Sequence, residues 1–272
     1  MLRERVLVTI LLLPAAFWII AAGGWLFAAG VALVLALAAA EFAALFRSVG
    51  LRPAAWVMAT AVVALVVGRQ ADGFASGPAL LAGTALGLMT WHLVDYERGA
   101  PRSGTDFAVS LGGAVYVGWI GAYLISLRGL PDGLWWLLTA LPAVWVGDSA
   151  AYFVGRAIGR HRLAPRLSPK KSWEGYLAGI VGAALAGAGF ALLWTIPAGP
   201  GASLTVGRGL VLGLILGSVT PLGDLGISMI KREVEIKDSG TLLPGHGGAL
   251  DRLDSWIWAG VLGFYLAVVL LR

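Results

Sequence analysis

Long apolar runs alternate with short polar segments along the whole chain. A bilayer core about 30 Å thick takes about 20 apolar residues per helix, and glycine, proline and charged residues mark the divisions between runs. The pattern predicts an all-α polytopic integral membrane protein, a single domain over residues 1–272 with about nine transmembrane helices. The predicted spans are 6–22, 25–46, 54–69, 77–96, 106–127, 133–155, 174–197, 206–230 and 255–271.

Composition agrees with a membrane protein and narrows its chemistry. Hydrophobic residues make up 58 % of the chain, charged residues 13 %, and the mean hydropathy is +0.83, which lies outside the range of soluble domains. The 39 glycines are typical of membrane helices that pack closely through small residues. The absence of cysteine excludes disulfides and zinc fingers. The apolar start is long and a second run follows at once, which favours an uncleaved anchor over a signal peptide.

Lysine and arginine are concentrated in alternate loops. If the N-terminus is cytoplasmic, only Arg69, Arg128, Arg208 and Arg272 of the 20 basic residues lie on the opposite side. Short cytoplasmic loops hold most basic residues in membrane proteins. The distribution therefore predicts a cytoplasmic N-terminus and an outside C-terminus, and it explains the net charge of +5 without a nucleic-acid partner.

This topology puts the two most polar segments, 156–174 and 231–255, on the cytoplasmic side. We expect them to form an active site with the flanking helix ends. Each follows a span that carries a carboxylate in its apolar part, Asp148 in one and Asp224 in the other. An acid within a span costs about 2.5–3.5 kcal/mol on insertion scales, so it is expected to face a partner, a metal or water.

Carboxylates near the second polar segment have the spacing of a metal site. Asp224, Ser228 and Lys231 follow at i, i+4 and i+7 and so share one helical face. Asp251 and Asp254 are three residues apart at the expected start of the last helix. With Asp224 they make an oxygen-only set, which suits Mg²⁺ rather than zinc.

More basic residues lie near these carboxylates than the carboxylates can neutralise. An excess of cations matches a polyanion such as a nucleoside triphosphate together with a lipid phosphate. The glycines of "GHGG" offer backbone N–H groups to phosphate oxygens with no Cβ in the way. This pattern indicates metal-assisted phosphoryl or nucleotidyl transfer. The basic residues are Lys170, Lys171, Lys231, Arg232, Lys237 and Arg252.

Simpler interpretations stay open for individual residues. Basic cytoplasmic loops orient a membrane protein and bind anionic lipid without any substrate. Ser172 and Glu174 can be the cap and first turn of a helix, while Asp251 and Asp254 can be favourable charges at a helix N-terminus. That all of these acids are purely structural, with "GHGG" beside them, is a weaker interpretation than an active site.

Three polar residues stand outside these patterns. Glu41 and His92 are isolated near span ends, and His161 is isolated within the first polar segment. Polar groups at span ends commonly pack or lie at the membrane interface. We interpret all three in this way rather than as ligands.

The segment "SMIKREVEIKDSGTLLPGHGGALDRLD", residues 228–254, resembles the signature of the phosphatidate cytidylyltransferases, or CDP-diacylglycerol synthases. The family pattern is S-x-x-K-R, four residues, K-D, then P-G-H-G-G and D-R-x-D, a long fixed spacing that is specific. The upstream "GDSAAYFVGRAIGRHRLAPRLSPKKSWEG" is similar to a second family block. One departure is Ala249, where the family usually has a larger aliphatic residue.

The resemblance implies an enzyme of phospholipid biosynthesis that joins CTP to phosphatidate, giving CDP-diacylglycerol and pyrophosphate. It implies Mg²⁺ as cofactor, with K⁺ as a candidate second cation, and a homodimer. The attacking lipid phosphate is already an anion near neutral pH, so no general base is required. Short loops and a compact chain fit a bacterial inner membrane, with the active site facing the cytoplasm.

Residue roles follow from placing this reaction on the motifs. Asp224, Asp251 and Asp254 are expected to hold the metal. Asp148 and Asp238 are expected to be partners of these groups or additional ligands. The residues assigned to catalysis, by neutralising phosphates or shaping the loop around them, are Lys231, Arg232, Lys237, Asp238, His246 and Arg252. Those assigned to substrate binding are Asp148, Lys170, Lys171, Ser172, Glu174, Ser228, Gly245, Gly247 and Gly248.

Two other functions are alternatives. A CTP-dependent lipid kinase would transfer the γ-phosphoryl group to a lipid alcohol and release CDP. An ion-coupled transporter would use Asp148 and Asp224, but the polar residues crowd one membrane face and no inverted repeat is visible. A CDP-alcohol phosphotransferase lacks its D-x-x-D-G-x-x-A-R motif here.

Overall fold

A computed structural model describes residues 14–199, 201–240 and 248–271. The described chain is almost entirely helical, and residues 14–22 are helical ahead of the first complete helix. A π-helical stretch, Ala114–Ile120, joins α4 to α5. The helices are α1 Gly24–Arg47, α2 Ala55–Asp72, α3 Gly77–Glu97, α4 Ser103–Gly113, α5 Tyr123–Arg128, α6 Gly133–Ile158, α7 Trp173–Ala198, α8 Val206–Val219, α9 Pro221–Glu233 and α10 Leu250–Leu270.

Eight helices among the described residues are long and apolar enough to cross a membrane. They match the second to ninth predicted spans and confirm the all-α polytopic fold, with α4 to α5 and α8 to α9 each counted as one span. Large apolar side chains such as Leu86, Phe153 and Ile196 are exposed on them, as lipid-facing surfaces require. The first predicted span, 6–22, lies mostly outside the described residues.

The first polar segment contains a β-hairpin that the sequence did not predict. Strand β1, Arg162–Ala164, pairs antiparallel with β2, Ser168–Ser172. The backbone N–H of Trp173 donates to the carbonyl of His161 at 2.9 Å and closes the base of the hairpin. The segment that leads from α6 to α7 is therefore an ordered connection with a defined register.

The chain divides into two compact units. Unit 1 comprises Met1–Ser126 with Lys231–Leu253, and unit 2 comprises Leu127–Ile230 with Asp254–Arg272. The boundaries between them fall inside α5, α9 and α10. The single domain expected from the sequence stays a prediction.

Unit 1 has a core of large apolar side chains. Leu35 of α1, Met58 and Val62 of α2 and Leu88 of α3 are completely buried. Gly113, at the end of α4, lies so close to Met58 that a Cβ there would overlap it. Burial of such side chains against neighbouring helices fixes the position of α1, which carries Glu41.

Unit 2 is packed through small residues as well as through buried apolar side chains such as Trp136 and Leu212. A Cβ on Gly187 of α7 would overlap the backbone carbonyl of Gly209 in α8, and the converse also holds. Gly147 of α6 approaches Gly179 of α7 in the same way. Lipid supplies no hydrophobic drive between helices, so close backbone approach through small residues is what stabilises such contacts. The packing confirms the role predicted for the glycines.

Candidate active site

Unit 2 contains a group of polar side chains that we call the Asp224 cluster, formed by Asp148, Lys171, Asp224 and Ser228. The Nζ of Lys171 lies 2.5 Å from Oδ2 of Asp224. The hydroxyl of Ser228, one turn further along α9, is 3.4 Å from Oδ1. Asp148, on α6, is close enough to interact electrostatically with both Lys171 and Asp224. Three of the predicted substrate-binding residues thus surround one predicted metal ligand.

The β-hairpin separates the two adjacent lysines. Successive side chains of a strand point to opposite faces, so Lys171 reaches Asp224 while Lys170 is exposed. Ser172, the next residue, accepts a hydrogen bond from the N–H of Gly175 at 3.2 Å and caps α7. The cap confirms the helix start that was one interpretation of this segment.

Glu174 holds the base of the hairpin. Its Oε1 accepts the backbone N–H of His161 at 3.2 Å and lies 2.6 Å from the Nδ1 of the same histidine. The contact joins the first turn of α7 to the residue before β1. Glu174 therefore positions the strand that carries the lysines, whereas its assignment to substrate binding stays a prediction.

Unit 1 contains a second group, the Asp251 cluster, formed by Glu41, Lys231, Ser239 and Asp251. The Nζ of Lys231 lies 2.6 Å from Oδ1 of Asp251. Oδ2 accepts the backbone N–H groups of Ser239 at 2.9 Å and Gly248 at 3.3 Å. Both charged side chains are only 13 % exposed. The ion pair is thus largely enclosed, and backbone donors complete the hydrogen bonding of the carboxylate.

Glu41 is a member of this cluster that the sequence analysis did not assign to the site. Its carboxylate accepts hydrogen bonds from the hydroxyl of Ser239 at 3.0 Å and the N–H groups of Ala249 and Leu250, each at 2.9 Å. These partners are about 200 residues away in the chain. The only sequence signal was a lone carboxylate in an apolar run, which does not identify its partners.

Asp254 lies in unit 2, near the beginning of α10. The residue is buried, with 8 % of its surface exposed, and Oδ1 accepts the N–H of Ser255 at 2.6 Å. A Cβ on Gly223 would overlap the carbonyl oxygen of Asp254. The backbone of Asp254 therefore contacts α9 at the residue next to Asp224.

The other predicted site residues differ in where they lie. Gly248 borders the Asp251 cluster, and its N–H already donates to Asp251. Gly245, His246 and Gly247 lie outside the described residues. Exposed side chains belong to Lys170, Arg232, Lys237, Asp238 and Arg252.

The donor chemistry of both clusters fits a hard cation. Asp224 and Asp251 each hold an ammonium group within 2.6 Å, and carboxylate oxygens are the ligands that Mg²⁺ prefers. Within either unit, the described residues contain no group of three histidine, aspartate or glutamate side chains that could hold a metal. The ligand set Asp224, Asp251 and Asp254 stays a prediction.

A family profile and several named proteins match this chain. A profile described as "Cytidylyltransferase family" matches residues 3–270. A Synechocystis protein named phosphatidate cytidylyltransferase is 33 % identical over 311 residues, covering 98 % of this chain and 97 % of that protein. One of the same name from Brucella suis is 36 % identical over 282 residues, covering 98 % and 94 %. A third, from Bacillus subtilis, is 40 % identical over 154 residues, covering 56 % and 55 %.

Proposed function

Because the chain belongs to the cytidylyltransferase family, we propose that it transfers the cytidylyl group of CTP to phosphatidate, giving CDP-diacylglycerol and pyrophosphate. The protein is a multi-pass membrane enzyme of the nucleotidyltransferase class. The observation that carries the proposal is similarity over nearly the full length to relatives named phosphatidate cytidylyltransferase. The two clusters support it, since each pairs a lysine of the family motifs with one of the aspartates predicted to hold the metal.

The proposed reaction is one displacement at phosphorus. A phosphate oxygen of phosphatidate forms a bond to the α-phosphorus of CTP, and the bond from that phosphorus to the oxygen bridging it to the β-phosphate breaks. Pyrophosphate leaves with the electron pair. Mg²⁺ held by Asp224, Asp251 and Asp254 would neutralise charge on the triphosphate and the leaving group.

Lys171 and Lys231 are proposed to bind phosphate oxygens. An ammonium group has three N–H donors, so a lysine held by one carboxylate can also donate to a phosphate. Asp224 and Asp251 would in this way fix the direction of the two ammonium groups before substrate binds, and fixed charges need no reorganisation during the reaction. The exposed Arg232, Lys237, Arg252 and Lys170 supply further positive charge.

Both clusters are assigned to one reaction because a single motif contains residues of both. Ser228 belongs to the Asp224 cluster, and Lys231 and Asp251 belong to the Asp251 cluster, all within the fixed spacing of residues 228–254. The distribution of basic residues supports a bacterial inner membrane orientation with these segments on the cytoplasmic side. The homodimer and a K⁺ requirement are further parts of the proposal that rest on the family resemblance.

The deciding experiment is an assay of purified protein in liposomes with CTP, short-chain phosphatidate and Mg²⁺, following pyrophosphate and the lipid product together. We expect equal amounts of pyrophosphate and CDP-diacylglycerol, and loss of both with EDTA. CDP and a newly phosphorylated lipid, formed when diacylglycerol replaces phosphatidate, would instead identify a lipid kinase. No nucleotide turnover with either lipid would contradict both enzymes and favour the transporter.

A further inference from the structure

Glu41 lies near the C-terminal end of α1, and none of the sequence motifs includes it. We infer that Glu41 is a positioning residue: its carboxylate holds the backbone that carries Asp251 and thereby sets the Asp251–Lys231 pair for catalysis. The catalytic part of this inference rests on the proposed function. The contact between Glu41 and the backbone that carries Asp251 rests only on the geometry of unit 1.

Both oxygens of the Glu41 carboxylate are used. Oε1 accepts the N–H of Ala249, and Oε2 accepts the N–H of Leu250 and the hydroxyl of Ser239. Ala249 and Leu250 are at the N-terminus of α10, where the first N–H groups have no partner within the helix. Glu41 therefore caps α10 from a different helix, and in the same contact it holds Ser239.

The glycines on either side of residues 241–247 also lie against the Glu41 carboxylate. A Cβ on Gly240 would overlap the Glu41 carboxylate, and a Cβ on Gly248 would overlap both that carboxylate and the hydroxyl of Ser239. Glycine at these two positions is what lets the backbone approach the carboxylate this closely. Part of the "GHGG" pattern is thus explained by a contact inside the protein, independently of any bound phosphate.

Ser239 links Glu41 to the charged pair. Its hydroxyl donates to Glu41, while its backbone N–H donates to Oδ2 of Asp251. Asp251 itself directly follows Leu250, which Glu41 holds. A shift of the Glu41 carboxylate would therefore move two of the groups that orient Asp251, and with them the ammonium of Lys231 at 2.6 Å.

The arrangement requires a glutamate. Three donors converge on two acceptor oxygens, and glutamine would turn an NH₂ group, which is a donor only, toward at least one of them. Aspartate keeps both oxygens but is one methylene shorter, so it cannot reach donors placed at 2.9–3.0 Å from the glutamate oxygens. Both variants should disturb the cluster while leaving the apolar packing of α1 intact.

The test compares full-length Glu41→Gln, Glu41→Asp and a matched control, Asp106→Asn, in liposomes. Asp106 is a buried carboxylate of the same unit that accepts the backbone N–H of Arg52 at 2.7 Å and belongs to no motif. Displacing reacting groups slightly costs rate rather than binding. We expect kcat to fall at least about tenfold in both Glu41 variants, with KM for CTP and phosphatidate within about threefold of wild type. The control should keep kcat within about twofold.

Amide hydrogen exchange of peptides covering residues 248–253 gives a second readout that needs no activity. We expect faster exchange in Glu41→Gln than in wild type, and unchanged exchange in Asp106→Asn. Wild-type kcat in both Glu41 variants, or the same kcat loss in the control, would overturn the positioning role, and unchanged exchange in Glu41→Gln would overturn the contact. If the wild-type enzyme itself transfers no cytidylyl group, the proposed function fails, and the exchange result alone then decides whether Glu41 anchors α10.

Discussion

Each unit contains a lysine–aspartate pair of the same chemistry, yet their surroundings differ. In unit 1, Lys231 and Asp251 are both 13 % exposed, and two backbone N–H groups complete the carboxylate. In unit 2, Lys171 is 29 % and Asp224 37 % exposed, and the additional bond comes from a serine hydroxyl at 3.4 Å. One pair is enclosed by backbone, and the other is open and held by side chains.

Because the two pairs differ in exposure, we expect their loss to affect protein stability to different extents. Removing one partner of a buried pair leaves a charge without compensation and is strongly destabilising, whereas exposed pairs contribute little to stability. Asp251 should therefore matter to both folding and catalysis. Asp224, with its more accessible oxygens, should matter to catalysis almost alone, and it is the carboxylate better placed to exchange an ammonium for a metal ion.

The largest effect is expected for Asp251→Asn. The substitution leaves Lys231 without its counter-charge and turns an amide NH₂ toward backbone donors, so we expect activity at background and a loss of about 3 kcal/mol in the free energy of unfolding. Thermal unfolding in detergent and the pyrophosphate assay measure the two quantities. A variant with wild-type stability would show that enclosure by backbone does not make this pair structural.

Asp224→Asn should reduce activity at least about a hundredfold but change the free energy of unfolding by no more than about 1 kcal/mol. The residual activity should also depend less on Mg²⁺ concentration, because a metal ligand has been lost. The same two assays, run beside Asp251→Asn, make the comparison direct. Equal destabilisation of the two variants would contradict the expected difference in stability between the two ion pairs.

The smallest effect is expected for Ser228→Ala. The hydroxyl lies 3.4 Å from Asp224 and adds only a weak bond, so we expect turnover within about fivefold of wild type and no measurable change in stability. Initial rates at saturating CTP and phosphatidate provide the measurement. A loss as large as that of Asp224→Asn would mean that Ser228 contacts a substrate directly.

Much of the fold was accessible from sequence because each span is specified locally. Hydropathy alone located the eight described spans, and capping chemistry identified the helix start at Ser172. The β-hairpin was missed because its strands are short and rich in basic residues and proline, which are weak strand formers. As a result, the sequence treated Lys170 and Lys171 as equivalent, whereas strand alternation gives them different environments.

The candidate site was only partly accessible. The motif identified Lys231 and Asp251, and helical spacing added Asp224, but neither signal predicted that Lys231 pairs with Asp251 and Lys171 with Asp224. Glu41 was interpreted as a packing or interface residue because nothing near it in the sequence explains it. Contacts across about 200 residues depend on how helices pack, and a single sequence does not encode them in any local pattern.

The contact between Glu41 and the start of α10 also has a consequence for biosynthesis. Glu41 is synthesised well before its backbone partners, which are 208 and 209 residues later. At about 5–20 residues per second, roughly 10 to 40 s separate their synthesis. For that interval the carboxylate lacks these partners, and α6, α7 and α8 are synthesised before the partners are. Unit 1 is therefore completed only after most of unit 2, residues 127–230, has been synthesised.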